Sequence, residues 1–179
     1  MDSTMMRDGI FALHTRRFGT VAEVMVRRLI KCGSARSLFH DLYDDATKRR
    51  IEVKFSRVQK EAETPITEET VLRCVEEATS THRLVPFGAW QKSAFDCNIQ
   101  QIKRKEFDVL YYGLFFSDCV KIFRIASAEI GPQIYYSDRQ HKGNIGEGQF
   151  HINQDTLQIH IEKYHYQTLT YNQLLELLS

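Results

Sequence analysis

The sequence predicts an α/β domain, because segments with helical periodicity alternate with segments of strand-like periodicity along the 179 residues. Apolar residues make up 42% of the chain, which is enough for one core at this length. No stretch approaches the roughly 20 apolar residues that a membrane helix needs, and the N-terminal residues lack the layout of a secretory signal. We therefore expect a single cytoplasmic domain over residues 1–179 that has no membrane partner.

The first half of the chain predicts a hairpin between two helices. Apolar residues recur at helical spacing over 20–31, with Thr20 available as N-cap, and again over 67–78. Between these helices, 38–43 and 50–56 alternate in the manner of half-buried strands on either side of the turn-forming residues 44–48.

The second half begins with the most apolar segments of the chain. Residues 107–116 and 120–125 are rich in aromatic and β-branched side chains, which predicts a central, buried pair of strands. Residues 131–148 are rich in glycine and polar residues, as is typical of a long functional loop. The remaining predicted elements are strands at 149–152 and 157–161 and a helix at 170–178 that starts with a capping box.

Charge is balanced overall but uneven along the chain. The 24 basic and 23 acidic residues leave a net charge of +1, which does not suit a protein that packages nucleic acid. Basic residues dominate 7–36, which favours contact with an anion, and acidic residues dominate 61–77; solvated helix faces would explain either run equally well. The four cysteines lie more than twenty residues apart, so we expect neither structural zinc nor a compact disulfide framework.

Three side chains of the predicted hairpin form a candidate chemical site. Glu52 and Lys54 share one face of the second strand, about 6.8 Å apart. A turn that is symmetric about residues 46 and 47 would set Asp41 opposite Glu52, with their Cβ atoms about 5 Å apart. Carboxylates this close repel unless a cation separates them, and Mg²⁺ takes such oxygen ligands. Lys54 could then orient an attacking water and offset charge on a phosphate, although a solvated ion pair worth less than about 1 kcal/mol remains the alternative.

With Asp41 followed by Glu52-Val53-Lys54, the sequence resembles the PD-(D/E)XK nuclease superfamily and, more narrowly, small type II restriction endonucleases. The resemblance spans roughly residues 20–125. It implies a restriction-endonuclease-like core, in which helices flank a central mixed β-sheet of about five strands. It also implies that Asp41 and Glu52 bind Mg²⁺ and that Lys54 assists the nucleophilic water.

Two further residues bear on the resemblance. The family often places a glutamate on the helix before the hairpin, and Glu23 fits that position as a fourth catalytic residue. A salt bridge from Glu23 to Arg27, four residues later on the same helix, explains Glu23 equally well. His40 stands where the family usually has a proline, which is a departure from the pattern.

The resemblance implies double-stranded DNA as a partner, and cutting both strands of a palindrome favours a homodimer. Side chains with donors and acceptors for phosphates or base edges are the candidate DNA contacts. They are Arg27, Arg28, Gln100, Gln101, Arg139, Gln140, His141, Lys142, Asn144 and Gln149. Helix faces, capping amides and an ordinary surface loop are the alternatives for these residues, and His151 is better explained as a structural histidine than as part of an HNH nuclease.

Together these observations predict a Mg²⁺-dependent, sequence-specific endonuclease of double-stranded DNA, of the type II restriction class. Residues 20–125 would form its catalytic core and residues 131–165 its DNA-recognition region. A structure-selective repair or junction nuclease of the same superfamily is one alternative. A non-catalytic DNA-binding or partner-binding module, in which the Asp-Glu-Lys group is only an ion pair, is the other.

Overall fold

A computed structural model describes residues 1–35, 37, 39–61, 64–78, 80–139 and 146–179. The helices are α1 (Ser3–Ala12), α2 (Thr15–Ile30), α3 (Val71–Glu77), α4 (Ser80–Arg83), α5 (Leu157–Tyr164) and α6 (Tyr171–Leu178). The strands are β1 (Gly33–Ser34), β2 (Leu42–Asp44), β3 (Arg49–Arg57), β4 (Asp96–Ile102), β5 (Val109–Phe115), β6 (Cys119–Ala126), β7 (Gly148–Asn153) and β8 (His165–Thr170).

Six of these strands form the main sheet, in the order β1-β2-β3-β5-β6-β8. Strands β3 and β5 are parallel, and every other neighbouring pair in this sheet is antiparallel. Strands β4 and β7 form a separate antiparallel pair. The predicted α/β architecture with a central mixed sheet is confirmed, with six strands in that sheet rather than about five.

Apolar side chains pack on both faces of the main sheet. Helices α1, α2 and α6 cover one face, and β4, β7 and α5 cover the other. Strand β5 is buried along its whole length because its side chains point alternately to the two faces of the sheet. Tyr111 packs on the face covered by α1, α2 and α6, and Tyr112 packs on the face covered by β4, β7 and α5. The prediction that 107–116 and 120–125 form a central, buried pair of strands is therefore confirmed.

Gly113 lies where β5 contacts both of its neighbours. A Cβ at this position would lie 2.1 Å from the carbonyl oxygen of Lys121 and 2.6 Å from Cε1 of Phe55. We expect Gly113→Ala to lower the free energy of unfolding by about 3 kcal/mol, because a backbone oxygen in a central strand cannot move away cheaply. Urea unfolding measures the change.

Gly19→Ala, in α2, is the matched control. Apart from the adjacent residues and the backbone of its own helix, no atom lies within 4 Å of the added Cβ, so alanine should stabilise the helix by about 0.5–1 kcal/mol. Equal destabilisation by both substitutions would contradict the packing explanation.

The helix predicted over 20–31 begins earlier, and the prediction of its N-cap is wrong. Helix α2 starts at Thr15 with His14 as N-cap, and Thr20 lies in its interior with its hydroxyl donating to the carbonyl oxygen of Arg16. Phe18 is buried, which extends the apolar face of the helix toward its start. The helix ends as predicted near residue 31, where Lys31 adopts a left-handed conformation with φ 55°.

Two other predicted elements differ from the structure. The helix over 67–78 is reduced to α3, whose apolar residues face outward, with Leu72 83% exposed. Residues 157–161 belong to helix α5 and not to a strand, because Leu157 and His160, three residues apart, are both buried. The prediction of a strand there is wrong.

The C-terminal helix and its capping box are confirmed. The Thr170 hydroxyl accepts from the Gln173 amide, and the Gln173 side chain accepts from the Thr170 amide. Among the described residues, no helix combines the length and apolar character needed to cross a membrane.

Candidate functional site

The candidate site lies beside β3, where the short strand β2 ends. Residues 42–44 pair with 49–51 in the predicted register, with Leu42 opposite Ile51. Strand β2 does not extend back to residue 38 as predicted, and Asp41 lies just before its first residue. The Asp41 carboxylate accepts a hydrogen bond from the Val53 amide at 2.9 Å and so satisfies a β3 N–H that a longer β2 would have paired. The carboxylate is therefore held against β3 at Val53, the residue that separates Glu52 from Lys54 in the sequence.

Glu52 and Lys54 form a close ion pair on β3. Their side chains share one face of the strand, as predicted, and the Nζ atom of Lys54 lies 2.7 Å from Oε1 of Glu52. In the described part of the chain, Glu52 is the only charged residue that is buried. A buried, partly desolvated ion pair differs from the solvated surface pair that the alternative explanation requires.

Electrostatics couple four of the predicted residues. Burial raises the pKa of Glu52 to about 7; Lys54 opposes the rise and Asp41 adds to it. Burial also raises the pKa of Glu23, on α2, with Asp41 adding to this shift and Lys54 opposing it. Burial lowers the pKa of Lys54, but the carboxylates of Glu52, Asp41 and Glu23 together outweigh burial, so the Lys54 pKa is raised. The structure thus brings Glu23, Asp41, Glu52 and Lys54 close enough to influence one another.

The start of β3 is anchored next to this site. The Arg50 guanidinium binds both carboxylate oxygens of Asp108, at 2.7 Å and 3.2 Å, and the Arg50 amide donates to the same carboxylate at 2.8 Å. This two-point contact joins the beginnings of the parallel strands β3 and β5. Nothing in the sequence pairs residues 50 and 108, so sequence reasoning missed the contact.

Asp41 and Glu52 are the residues that would hold a metal ion. No group of three or more His, Cys, Asp or Glu side chains suited to a metal occurs within the described ranges. Mg²⁺ commonly keeps several waters and binds through one or two carboxylates, so a two-carboxylate set fits its chemistry. The Val53 amide binds one oxygen of Asp41 and the Lys54 ammonium binds one oxygen of Glu52, so the other oxygen of each carboxylate would have to bind the metal.

The two arginines predicted to contact DNA from α2 make contacts within the protein. Arg27 donates to the Ser34 hydroxyl at 2.8 Å. Arg28 donates to the Leu177 carbonyl at 3.0 Å, where a cation stabilises the C-terminal end of α6. These contacts tie α2 to β1 and to α6.

The predicted amide residues lie on the β4–β7 pair. Gln100 lies directly opposite Gln149, and Gln101, with φ 60°, occupies an irregular position in the pairing. Both Gln100 and Gln101 lie inside β4, the strand that precedes β5 in the chain. Arg139 is exposed, two residues after the bridge that joins Ser137 to Gln149. Four predicted contacts, Gln140, His141, Lys142 and Asn144, lie outside the described residues.

Sequence reasoning overlooked two carboxylates near these positions, Glu106 and Asp96. Glu106 raises the pKa of Glu52, behind the larger effects of burial, Lys54 and Asp41. His151 lies 2.7 Å from Asp96 through its Nδ1 atom, so it is hydrogen-bonded within the protein, as expected of a structural histidine. The period-two alternation of 96–100 was the available signal for Asp96, which lies in β4.

Comparisons with protein-family models, with curated proteins and with solved structures found no match for this chain. The resemblance to PD-(D/E)XK nucleases therefore depends on Asp41, Glu52 and Lys54 and on the order of the elements around them.

Proposed function

We propose that this chain is a Mg²⁺-dependent endonuclease that cuts double-stranded DNA at specific sequences, with a restriction-endonuclease-like core. The observation that carries the proposal is the buried Glu52 carboxylate, paired with Lys54 at 2.7 Å beside the anchored Asp41. Unless function requires it, a protein gains little by burying such a group, because desolvation opposes the ion pair.

The fold around these residues supports the proposal. Helix α2 precedes the β2–β3 hairpin, and β5 then lies parallel to the strand that carries Glu52 and Lys54. This is compatible with the order of elements on which the resemblance depends. Strand β3 is an inner strand, so its side chains are held by neighbours on both sides.

Each residue has a distinct role in the proposed reaction. Asp41 and Glu52 would hold the metal, which would supply Lewis-acid activation of water and stabilise charge on the phosphate. Lys54 orients the attacking water and offsets the developing negative charge. Glu23 contributes a further carboxylate from α2. The products would carry 5′-phosphate and 3′-hydroxyl ends, as the resembled family implies, and a two-fold dimer would place one site on each strand.

Incubation of unmodified plasmid DNA with the purified chain, with and without Mg²⁺, tests this function. We expect discrete fragments only when Mg²⁺ is present, and end sequencing should reveal a shared motif at the termini. Metal-dependent cleavage without a motif would favour the structure-selective repair or junction nuclease instead.

A non-catalytic DNA-binding or partner-binding module is the second candidate. It is favoured by the direct contact of Lys54 with Glu52 and by the lack of a three-residue metal cluster among the described residues. Isothermal titration calorimetry separates the two, because the nuclease must bind Mg²⁺ through Asp41 and Glu52. Absence of both Mg²⁺ binding and cleavage would support the module.

A further inference from the structure

The β4–β7 pair is a two-stranded ribbon with one apolar and one polar face. Its residues alternate strictly between buried and less buried positions over 96–100 and 149–153. The apolar side chains pack against the main sheet in the same cluster as Tyr112. The other face, which we call the polar ribbon face, consists of Asp96, Asn98 and Gln100 opposite Asn153, His151 and Gln149, respectively.

Hydrogen bonds hold several of these side chains in place. The Asn98 amide donates to Oε1 of Gln149 at 3.1 Å, and His151 contacts Asp96, the only carboxylate of the polar ribbon face. Oδ1 of Asn98 is buried and has no hydrogen-bond partner in the part of the chain that the structure describes, so Asn98 acts mainly by orienting Gln149.

The ribbon lies beside the proposed active site. In the parallel β3–β5 register, Lys54 is opposite Tyr112, so Lys54 lies on the sheet face that the ribbon covers. At one end of the ribbon, Cys97 contacts the carbonyl oxygen of Arg57, the last residue of β3. At the other end, the chain continues to Glu106, whose charge acts on Glu52. The ribbon therefore runs alongside the strand that carries Glu52 and Lys54.

We infer that the polar ribbon face enters the DNA major groove and reads base edges. This inference rests on the proposed function. Two strands about 4.8 Å apart fit a groove about 12 Å wide, and three alternate residues span about 13.6 Å, or about four base pairs. Gln100 and Gln149 carry amides, which make bidentate contacts with the N6 and N7 atoms of adenine. The recognised sequence should therefore contain A·T pairs.

Basic side chains next to the ribbon suit the phosphates that border the groove. Lys105 is exposed in the turn that follows β4, and Arg139 is exposed close to Gln149. Phosphate contacts of this kind set the register of a protein on DNA, while groove contacts select the sequence. The polar ribbon face carries mostly uncharged amides and is bordered by cations, which matches the uncharged base edges between two rows of phosphates.

Selection from a pool of duplexes with a randomised central segment tests the inference. The full chain is used without Mg²⁺, so binding is measured apart from cleavage. We expect the wild-type chain to select a motif and Gln100→Ala or Gln149→Ala to lose about 5- to 150-fold of discrimination at one position. Gln149→Glu should shift the preferred base at its position from adenine to cytosine, because a carboxylate accepts from cytosine N4. Replacing the contacted adenine with 7-deazaadenine, which lacks the N7 acceptor, should weaken wild-type binding.

Gln158→Ala is the matched control, since Gln158 is an exposed amide on α5 that contacts Glu162. It should leave the motif unchanged. If the wild-type chain selects or cuts at a motif that the ribbon variants leave intact, or if 7-deazaadenine has no effect, the inference fails and the proposed function stands. If the wild-type chain neither binds nor cuts any duplex, both fail. Selection of a ribbon-dependent motif without cleavage would support the inference and overturn the nuclease.

Discussion

Replacing Asp41 with asparagine, or Lys54 with methionine, is expected to reduce Mg²⁺-dependent DNA cleavage by about 10³-fold. Asparagine keeps an oxygen that can accept the Val53 amide, so the end of β2 should stay in place while the negative charge is lost. Methionine preserves most of the apolar stem of Lys54 but removes the ammonium group that contacts Glu52. Cleavage rates under single-turnover conditions measure the effect on the chemical step.

Asp45→Asn is the control for Asp41→Asn. Asp45 lies in the turn of the same hairpin and is exposed, so the substitution removes the same charge nearby without touching the site. We expect its cleavage rate to equal that of the wild-type chain. Unfolding by urea should show that all three variants are folded. Full cleavage activity of a folded Asp41→Asn protein would remove the assignment of the active site.

The second large effect concerns pH. Because burial raises the pKa of Glu52 to about 7, this carboxyl is largely protonated in slightly acidic solution and becomes a metal ligand as the pH rises. Affinity for Mg²⁺ should therefore fall by up to tenfold for each pH unit below about 7 and level off above it. The cleavage rate at a subsaturating Mg²⁺ concentration should follow the same curve. Calorimetry and cleavage assays from roughly pH 5.5 to 8.5 cover the transition.

Two variants test the cause of this shift. Lys54 opposes the rise in the Glu52 pKa and Asp41 adds to it. Without metal, Lys54→Met should raise the Glu52 pKa further, whereas Asp41→Asn should lower it. Carbon-13 NMR of the Glu52 side chain gives the pKa directly in each variant. Shifts in the opposite directions would show that the arrangement of these charges is wrong.

The sequence predicted the central elements because their signals are local or strongly apolar. The register of the hairpin follows from its tight turn, where the Asp44 carboxylate accepts from the amides of Ala46 and Thr47. The final helix was recognisable from its capping box. Helix α5 was misread because Leu157, Ile159 and Ile161 alternate like a strand, while the buried His160 hides the helical face.

Other elements depend on partners that are distant in the chain. Strand β4 contains aspartate and asparagine, which are poor strand formers, and it pairs with β7 about fifty residues later. Strand β8 pairs with β6 and was likewise missed. For the site, residue types and spacing predicted the group formed by Asp41, Glu52 and Lys54. The burial of Glu52, which raises its pKa, depends on packing that no local pattern reveals.

Because the Val53 amide donates a hydrogen bond to the Asp41 carboxylate, the Val53 amide proton reports the charge state of Asp41. The chemical shift and exchange rate of that proton depend on the charge of the carboxylate that accepts it. A divalent ion bound at Asp41 would draw electron density away from its carboxylate and move the Val53 amide resonance in the middle of β3. Occupancy of the site could thus be followed in solution without DNA and without any turnover.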